Sequence, residues 1–412
     1  MMKVLFVCNK SPFPAREGGP IAMKSIIDGL LKTGHQAKVL AVNSEKYKVD
    51  SEAIQDELKQ KTDLTLVDVD LRIKPFGALK ALLRNRSYHV ERFISASFEK
   101  ELIKILETEE YDVVQLETVF MAPYIPAIRK HSKAVIVLRA HNIEHLIWKR
   151  LARQSVFLPK RFYLNHLSET LRQFELESLN QVDGVAAITR KDAAFFRGFT
   201  HKIVVDIPYG INTASFEPVF EVTTPPVFFH LGSMNWIPNQ EGIKWMLENV
   251  WPRVISKVPD AHFVLAGRFM PDWLLHYKAP GLEVLGEVDD ATAFVKKNHI
   301  AVVPLLSGSG IRIKIIEAMA LGKTVVTTQV GAEGINYTDQ FNVFIADDAA
   351  KMAALMIQLF QHPEKAFNCG VAARKLVEEQ HNSEKVITRL LKFYNNLMQH
   401  NCEDLGHENH NH

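Results

Sequence analysis

Short apolar, β-branched runs recur along the whole chain, and between them apolar positions repeat at helical spacing. That alternation predicts parallel strands with helices on both faces, a doubly wound α/β architecture. In the first half the predicted strands are KVLFVC (3–8), QAKVLAV (36–42), DLTLVDV (63–69), DVVQLE (112–117), AVIVLRA (134–140) and GVAAIT (184–189). A helix is predicted over about 20–33, where Ile21, Met23, Ile26, Ile27, Leu30 and Leu31 supply the apolar positions and Gly34 the stop. A longer helix is predicted over about 160–181.

A second set of strands follows the paired prolines of TTPPV (223–227): VFFHLG (227–232), HFVLAG (262–267), LEVLGE (282–287), HIAVVPL (299–305), KTVVTT (323–328) and FNVFIA (341–346). The chain therefore divides into an N-terminal domain over 1–206, a linker over 207–226 and a C-terminal domain over 227–382. A helix over 383–400 is expected to pack back on the first domain, and 401–412 to form a disordered, His-containing tail. In such sheets ligands sit beyond the carboxyl ends of the strands.

The bulk numbers narrow the function. A chain of 412 residues exceeds one ordinary core, and 47% hydrophobic with 23% charged residues is a globular composition. Lys and Arg number 49 against 47 Asp and Glu, a net charge of +2. That balance provides no global field for nucleic acid, so no nucleic-acid partner is expected. Cys8, Cys369 and Cys402 show neither disulfide nor metal-ligand spacing, which suits a reducing compartment. The apolar start of MMKVLFVCNKSPFP is shorter than the apolar core of a secretory signal, and no run approaches the length of a membrane helix. The expected location is cytoplasmic, with peripheral contact at the inner face of the cell membrane left open.

Four stretches carry candidate chemistry. Gly18 and Gly19 stand just before the first predicted helix, where free amides and the helix dipole favour an anion; a mere turn explains them equally well. The loop lacks the GxGxxG spacing, which disfavours a nicotinamide dehydrogenase. His141 and Asn142 follow a strongly apolar strand, a place where functional side chains collect. Gly232 and Ser233 follow the first strand of the second set and precede a helix from about Asn239. The fourth stretch is SGSGIRIKIIEAMALGKTVV (307–326). Its helix is expected to start near Arg312, with Ser309 or Gly310 near the cap, so Arg312 and Lys314 add full charges to the first free amides. Glu317, about one turn further, suits vicinal hydroxyls such as those of a ribose.

Taken in order, these stretches, with VDGVAAIT (182–189), IPYGINTASFEP (207–218), LEVLGEVDD (282–290) and IEAMALGKTVV (316–326), resemble the two-domain, nucleotide-sugar-dependent glycosyltransferases grouped as family 4, or group 1. The resemblance implies the GT-B fold, two facing Rossmann-like domains, with the donor mainly on the C-terminal one and the acceptor on the N-terminal one. It implies that Glu317 holds the donor ribose, that Gly286 and Val288 pack on the base, that Gly18 and Gly19 approach the sugar and diphosphate, and that His141 lies near the reacting centre. The chain also departs from the family. Ser309 stands where the first glutamate of the paired motif is expected, Ser233 where an arginine is, and the lysine expected near Asn239 and Gln240 is missing. The variant stretch GSGIRIKIIEA resembles one branch of the family, in which Arg312 and Lys314 are expected to replace the lost cations as diphosphate clamps.

The expected reaction is a hexosyl transfer from a UDP- or GDP-sugar to a glycan or lipid-linked acceptor, in bacterial surface polysaccharide synthesis. Retention of configuration is implied by the resemblance. No cofactor or metal is expected: two cations can meet the leaving diphosphate, and DVD (68–70) ends a strand of the first domain. A nucleotide-sugar epimerase of the same fold and a non-catalytic nucleotide-sugar-binding protein are the alternatives. Two basic and apolar stretches, 72–93 and 148–163, fit either an anionic membrane surface or helices with a solvated basic face.

Overall fold

The computed structural model describes residues 1–15, 18–50, 54, 60–308 and 310–408. The chain forms two compact units, one of Met1–Tyr209 together with the stretch from Val386 onward, the other of Gly210–Lys385.

The first unit is built on a seven-stranded parallel sheet in the order β3-β2-β1-β4-β5-β6-β7. Its strands are β1 (Lys3–Cys8), β2 (Gln36–Asn43), β3 (Thr65–Asp68), β4 (Val113–Glu117), β5 (Val135–Ala140), β6 (Gly184–Ala187) and β7 (Ile203–Asp206). Every residue of β4, β5 and β6 is buried, which is why these strands read as continuous apolar runs and do not alternate. Along β1, Leu5 and Val7 enter the core on one face, while Val4 and Phe6 enter the core on the other. The four-residue edge strand β7 has no counterpart among the predicted strands.

The C-terminal helix, Ser383–Glu408, completes that second core through Val386, Ile387, Leu390, Phe393, Tyr394 and Leu397. Two glycines make room for it. A Cβ on Gly29 would stand 2.3 Å from Ile387, and one on Gly184 2.7 Å from Phe393. The disordered tail expected from 401 is corrected as far as Glu408, which is still helical. No proline interrupts 401–408, and extension of a nucleated helix is favourable. Residues 409–412 lie outside the described residues.

The second unit has a six-stranded parallel sheet in the order β10-β9-β8-β11-β12-β13. The strands are β8 (Val227–Leu231), β9 (His262–Ala266), β10 (Leu282–Gly286), β11 (Ile300–Val303), β12 (Thr324–Thr327) and β13 (Phe344–Ile345). Trp251, Phe228 and Phe263 anchor its core. The segment after the boundary is pinned within this unit: Arg374 donates to the carbonyls of Phe216 at 2.6 Å and Thr213 at 3.1 Å. In each sheet the strand order reverses beside the first strand, between β1 and β4 and between β8 and β11. Those two points are where an open parallel sheet leaves a crevice for a ligand.

Candidate functional site

At the reversal point of the second sheet, the turn after β8 meets the helix Ile313–Ala320, which follows β11. Pro304 ends β11, and residues 305–312 lead into the helix, whose N-cap is Arg312. Lys314 reaches across to the β8 turn. Its Nζ donates to Asn239 Oδ1 at 2.9 Å and lies 3.4 Å from His230 Nε2. Asn239 stands in the first turn of the helix Ile237–Trp245, and its Nδ2 donates to the Ser233 carbonyl at 2.8 Å. His230 Nδ1 is 2.8 Å from the Val302 carbonyl, which can only accept, so Nδ1 carries the proton and Nε2 faces the lysine as an acceptor.

The electrostatics follow from this crowding. Burial, and then the charge of Arg312, push the Lys314 ammonium down to about 7. Burial and the nearby lysine hold the His230 ring well below its ordinary range, so it is neutral. Burial pushes the half-buried Glu317 carboxyl up to about 7. The Arg312 guanidinium lies 5.1 Å from the centre of the Trp236 ring, a cation–π contact that fixes its plane. An anion arriving here meets a charge-ready lysine, a buried guanidinium and the first amides of a helix.

Gly232 is part of the same cluster because of its size. A Cβ there would stand 2.9 Å from His230 Nε2, 3.0 Å from Lys314 Nζ and 3.1 Å from Asn239 Nδ2. Gly232→Ala is therefore expected to push the lysine out of place and weaken the binding of a phosphate-bearing anion here about ten- to hundredfold, the worth of one charge-assisted hydrogen bond. Titration calorimetry checks this, with an unchanged circular dichroism spectrum showing that the fold survives.

In the first unit, the reversal point carries a chain of buried polar groups. Glu117 ends β4 and is fully buried; its Oε2 lies 2.5 Å from His141 Nε2, just past β5. Gln115 Nε2 donates to Glu117 Oε1 at 2.6 Å, and the hydroxyl of Tyr394 on the C-terminal helix donates to Gln115. Arg139, also fully buried, lies 3.9 Å from Glu117 Oε1 and donates to the Ala22 carbonyl at 3.4 Å. Burial alone raises the Glu117 carboxyl, but Arg139, His141 and Gln115 outweigh it and hold the group below the usual carboxylate range. One turn further, Glu175 accepts from the Glu144 amide at 2.9 Å and lies 2.6 Å from His145 Nδ1, which fastens the helix that follows His141.

The sequence-predicted residues thus fall into two sets. Gly232, Ser233, Gly310, Arg312, Lys314 and Glu317 belong to the β8–β11 reversal point, whereas Gly286 ends and Val288 follows the edge strand β10, which β9 separates from β8. His141, Gly18 and Gly19 belong to the first unit. Gly18 and Gly19 are corrected from a loop before the helix to its first turn, since the helix is Gly18–Lys32. A small residue suits Gly19 because the Lys10 side chain passes 3.3 Å from where its Cβ would stand, whereas the space at Gly18 is open. Ser309 lies outside the described residues. The helix after β8 starts at Ile237, two residues before the expected Asn239. Glu117, Arg139, Gln115, Tyr394, His230, Asn239 and Trp236 were not among the predicted functional residues. A signal for three of them was available: a glutamine, a glutamate and an arginine inside apolar central strands are costly unless they are paired.

Two units of this kind define the GT-B class of glycosyltransferase folds, and solved structures agree. Anabaena HepE in complex with UDP matches over 96% of this chain and 100% of its own, with a TM-score of 0.65 at 14% identity. TarM matches over 96% and 99%, with a TM-score of 0.66 at 13% identity. Residues 225–362, which lie within the second unit, match the family described as glycosyl transferases group 1. Over the whole length, the chain is 23% identical to a Klebsiella pneumoniae protein described as an uncharacterized 44.6 kDa protein in cps region, covering 95% of this chain and 100% of that one. It is 28% identical to a phosphatidyl-myo-inositol mannosyltransferase of Mycolicibacterium smegmatis, over 41% of this chain and 46% of the relative.

Proposed function

We propose that the protein transfers a sugar from a uridine diphosphate donor to a glycan or lipid-linked acceptor in the synthesis of a bacterial surface polysaccharide. The carrying observation is the meeting of Lys314, Asn239 and Gly232 at the reversal point of the second sheet, with Arg312 at the cap and Glu317 on the same helix. HepE structures with UDP and UDP-glucose support a uridine donor. The cps-region relative supports a surface polysaccharide, and the mannosyltransferase a lipid-linked acceptor.

In this reading, charge builds on the departing diphosphate, and Arg312, Lys314 and the amides of the helix stabilise it. An arriving diphosphate pulls the Lys314 ammonium back up from about 7, so the group is charged when the leaving group needs it. Glu317 accepts from the ribose hydroxyls. In the first unit, His141, oriented by Glu117, serves the reacting centre on the acceptor side. With two cations available to the leaving group, the transfer is read as metal-independent; retention is what the family resemblance implies.

Calorimetry with UDP, GDP and ADP tests the donor. UDP is expected to bind most tightly, and Arg312→Ala and Glu317→Ala to weaken it about tenfold or more, by loss of hydrogen bonds to charged groups. If neither variant changes the affinity, the donor site is elsewhere. Transfer is expected to persist in excess EDTA, and product analysis separates it from epimerisation and from binding without turnover.

A further inference from the structure

The donor and acceptor chemistry leaves one large feature of the first unit without a role. Residues 71–90 contain Arg72, Lys74, Lys80, Arg84 and Arg86 and no carboxylate. Residues 145–168 contain Lys149, Arg150, Arg153, Lys160 and Arg161 and again no carboxylate. Far apart in sequence, the two stretches fold against each other. Ala81 of the helix Pro75–Leu83 and Tyr88 share a small separate core with Ala152 of the helix Glu144–Gln154 and with Leu164 and Leu167 of the helix Leu158–Leu179. Tyr88 ties the first stretch down, accepting from the Lys74 amide at 2.6 Å, and His89 packs on Trp148 with ring centres 3.9 Å apart.

The inward faces of these helices are spent on that core, yet their outward faces are not polar. Ile73, Phe76 and Leu83 stand out from the first stretch, with Phe76 89% exposed. Val156, Phe157, Leu158 and Phe162 stand out from the second, with Val156 95% exposed. Single exposed apolar residues are ordinary, but seven on two adjoining elements mark an interaction surface. Most of the cations among them are not consumed by neighbours. Arg72 pairs with Asp70 and Glu45, Lys74 with Asp70 and Arg86 with Glu91, whereas Lys80, Arg84, Lys149, Arg153, Lys160 and Arg161 form no ion pair among the described residues.

We infer that this face docks on a bilayer rich in anionic phospholipid. Large apolar side chains that enter the acyl boundary, in a field of lysine and arginine whose stems span the headgroups, are the chemistry of an interfacial surface. A second copy of the chain fits poorly, because a face of ten cations, with only the flanking Asp70, Glu91 and Glu45 paired to it, would meet its own like charge. No helix among the described residues is long and apolar enough to cross a membrane, so the contact is peripheral. The inference rests on these helices alone and does not depend on the donor site.

The test is sedimentation of the full chain with phosphatidylcholine vesicles, with and without about one-third phosphatidylglycerol. Binding is expected to be at least about tenfold stronger to the anionic vesicles and to weaken in high salt. Phe76→Ser/Phe157→Ser/Phe162→Ser keeps the charge, and Lys80→Glu/Arg84→Glu/Lys160→Glu/Arg161→Glu keeps the apolar face. Each set is expected to lower anionic binding about tenfold or more. Both sets change exposed side chains only, so circular dichroism and UDP affinity should match the parent. Equal binding to neutral vesicles overturns the inference, as do variants that bind like the parent. So does a parent that ignores vesicles but self-associates through this face, seen as variants that become monomeric by light scattering. If the parent binds anionic vesicles but no nucleotide, the docking surface stands and the donor reading fails.

Discussion

Replacing Lys314 with methionine is expected to stabilise the second unit while removing nucleotide binding. In the folded chain the ammonium is held down to about 7, whereas an unfolded lysine titrates near 10.4. The folded state therefore binds fewer protons between these values. The penalty is full at and below neutral pH and is relieved as pH rises towards 10. At pH 7 a shift of this size corresponds to roughly 4 kcal/mol, partly offset by the lost bond to Asn239. Methionine fills similar space without a charge, so the melting transition of this unit is expected to rise by several degrees, about 2–4 °C for each kcal/mol gained. The gain should be full at and below about pH 7 and fade by pH 10, and UDP calorimetry should show no binding. A variant that loses stability at neutral pH contradicts the account of a strained, ligand-ready lysine. This is the usual conflict between a site built for a ligand and a chain built for stability.

The second large effect is expected at Arg139. Arg139→Met leaves Glu117 fully buried without its cation, a change that costs about 3–5 kcal/mol in comparable pairs. Burial then dominates the carboxyl and raises its folded value above the unfolded one. The folded state binds more protons in that window, so the variant should recover part of its loss as pH falls from 8 to about 5. Adding Glu117→Gln should rescue it, giving a double variant more stable than the two single losses predict. Hydrogen exchange measured on peptides of β4 and β5 is the suitable readout, since a chain of two units does not unfold as one state. If the loss at Arg139 is pH-independent and not rescued, the pair is not the reason for it.

Much of this architecture was readable from hydrophobic pattern because fully buried parallel strands have to be apolar at most consecutive positions, as VLFVC (4–8) and AVIVL (134–138) are. Reading failed where that pressure is weak. Ile203–Asp206 is a four-residue edge strand, too short to separate from a loop, and β13 shrinks to Phe344–Ile345. In the second unit, charge beside glycine singled out Arg312, Lys314 and Gly232, and the fold brings Lys314 against Gly232. Their partners stayed hidden for a physical reason. His230 and Asn239 act only because a fold joins positions 84 and 75 residues away from Lys314, and spacing along the chain carries no trace of that. In the first unit, His141 was visible at its strand end, while Glu117 was passed over as one more strand residue. Its carboxylate in an all-buried strand was the overlooked clue.

The C-terminal helix also has a consequence for biosynthesis. The first unit is discontinuous: its second core takes Ile387, Phe393 and Leu397 from a stretch that follows all of Gly210–Lys385. On the ribosome, the second unit is therefore fully made before the residues that close the first core exist. Until then the slots left by Gly29 and Gly184 stay empty, and the second core lacks Ile387, Phe393 and Leu397. The earlier half of the chain is in this sense the last to mature, and for the whole length of synthesis it is the half that a chaperone would find open.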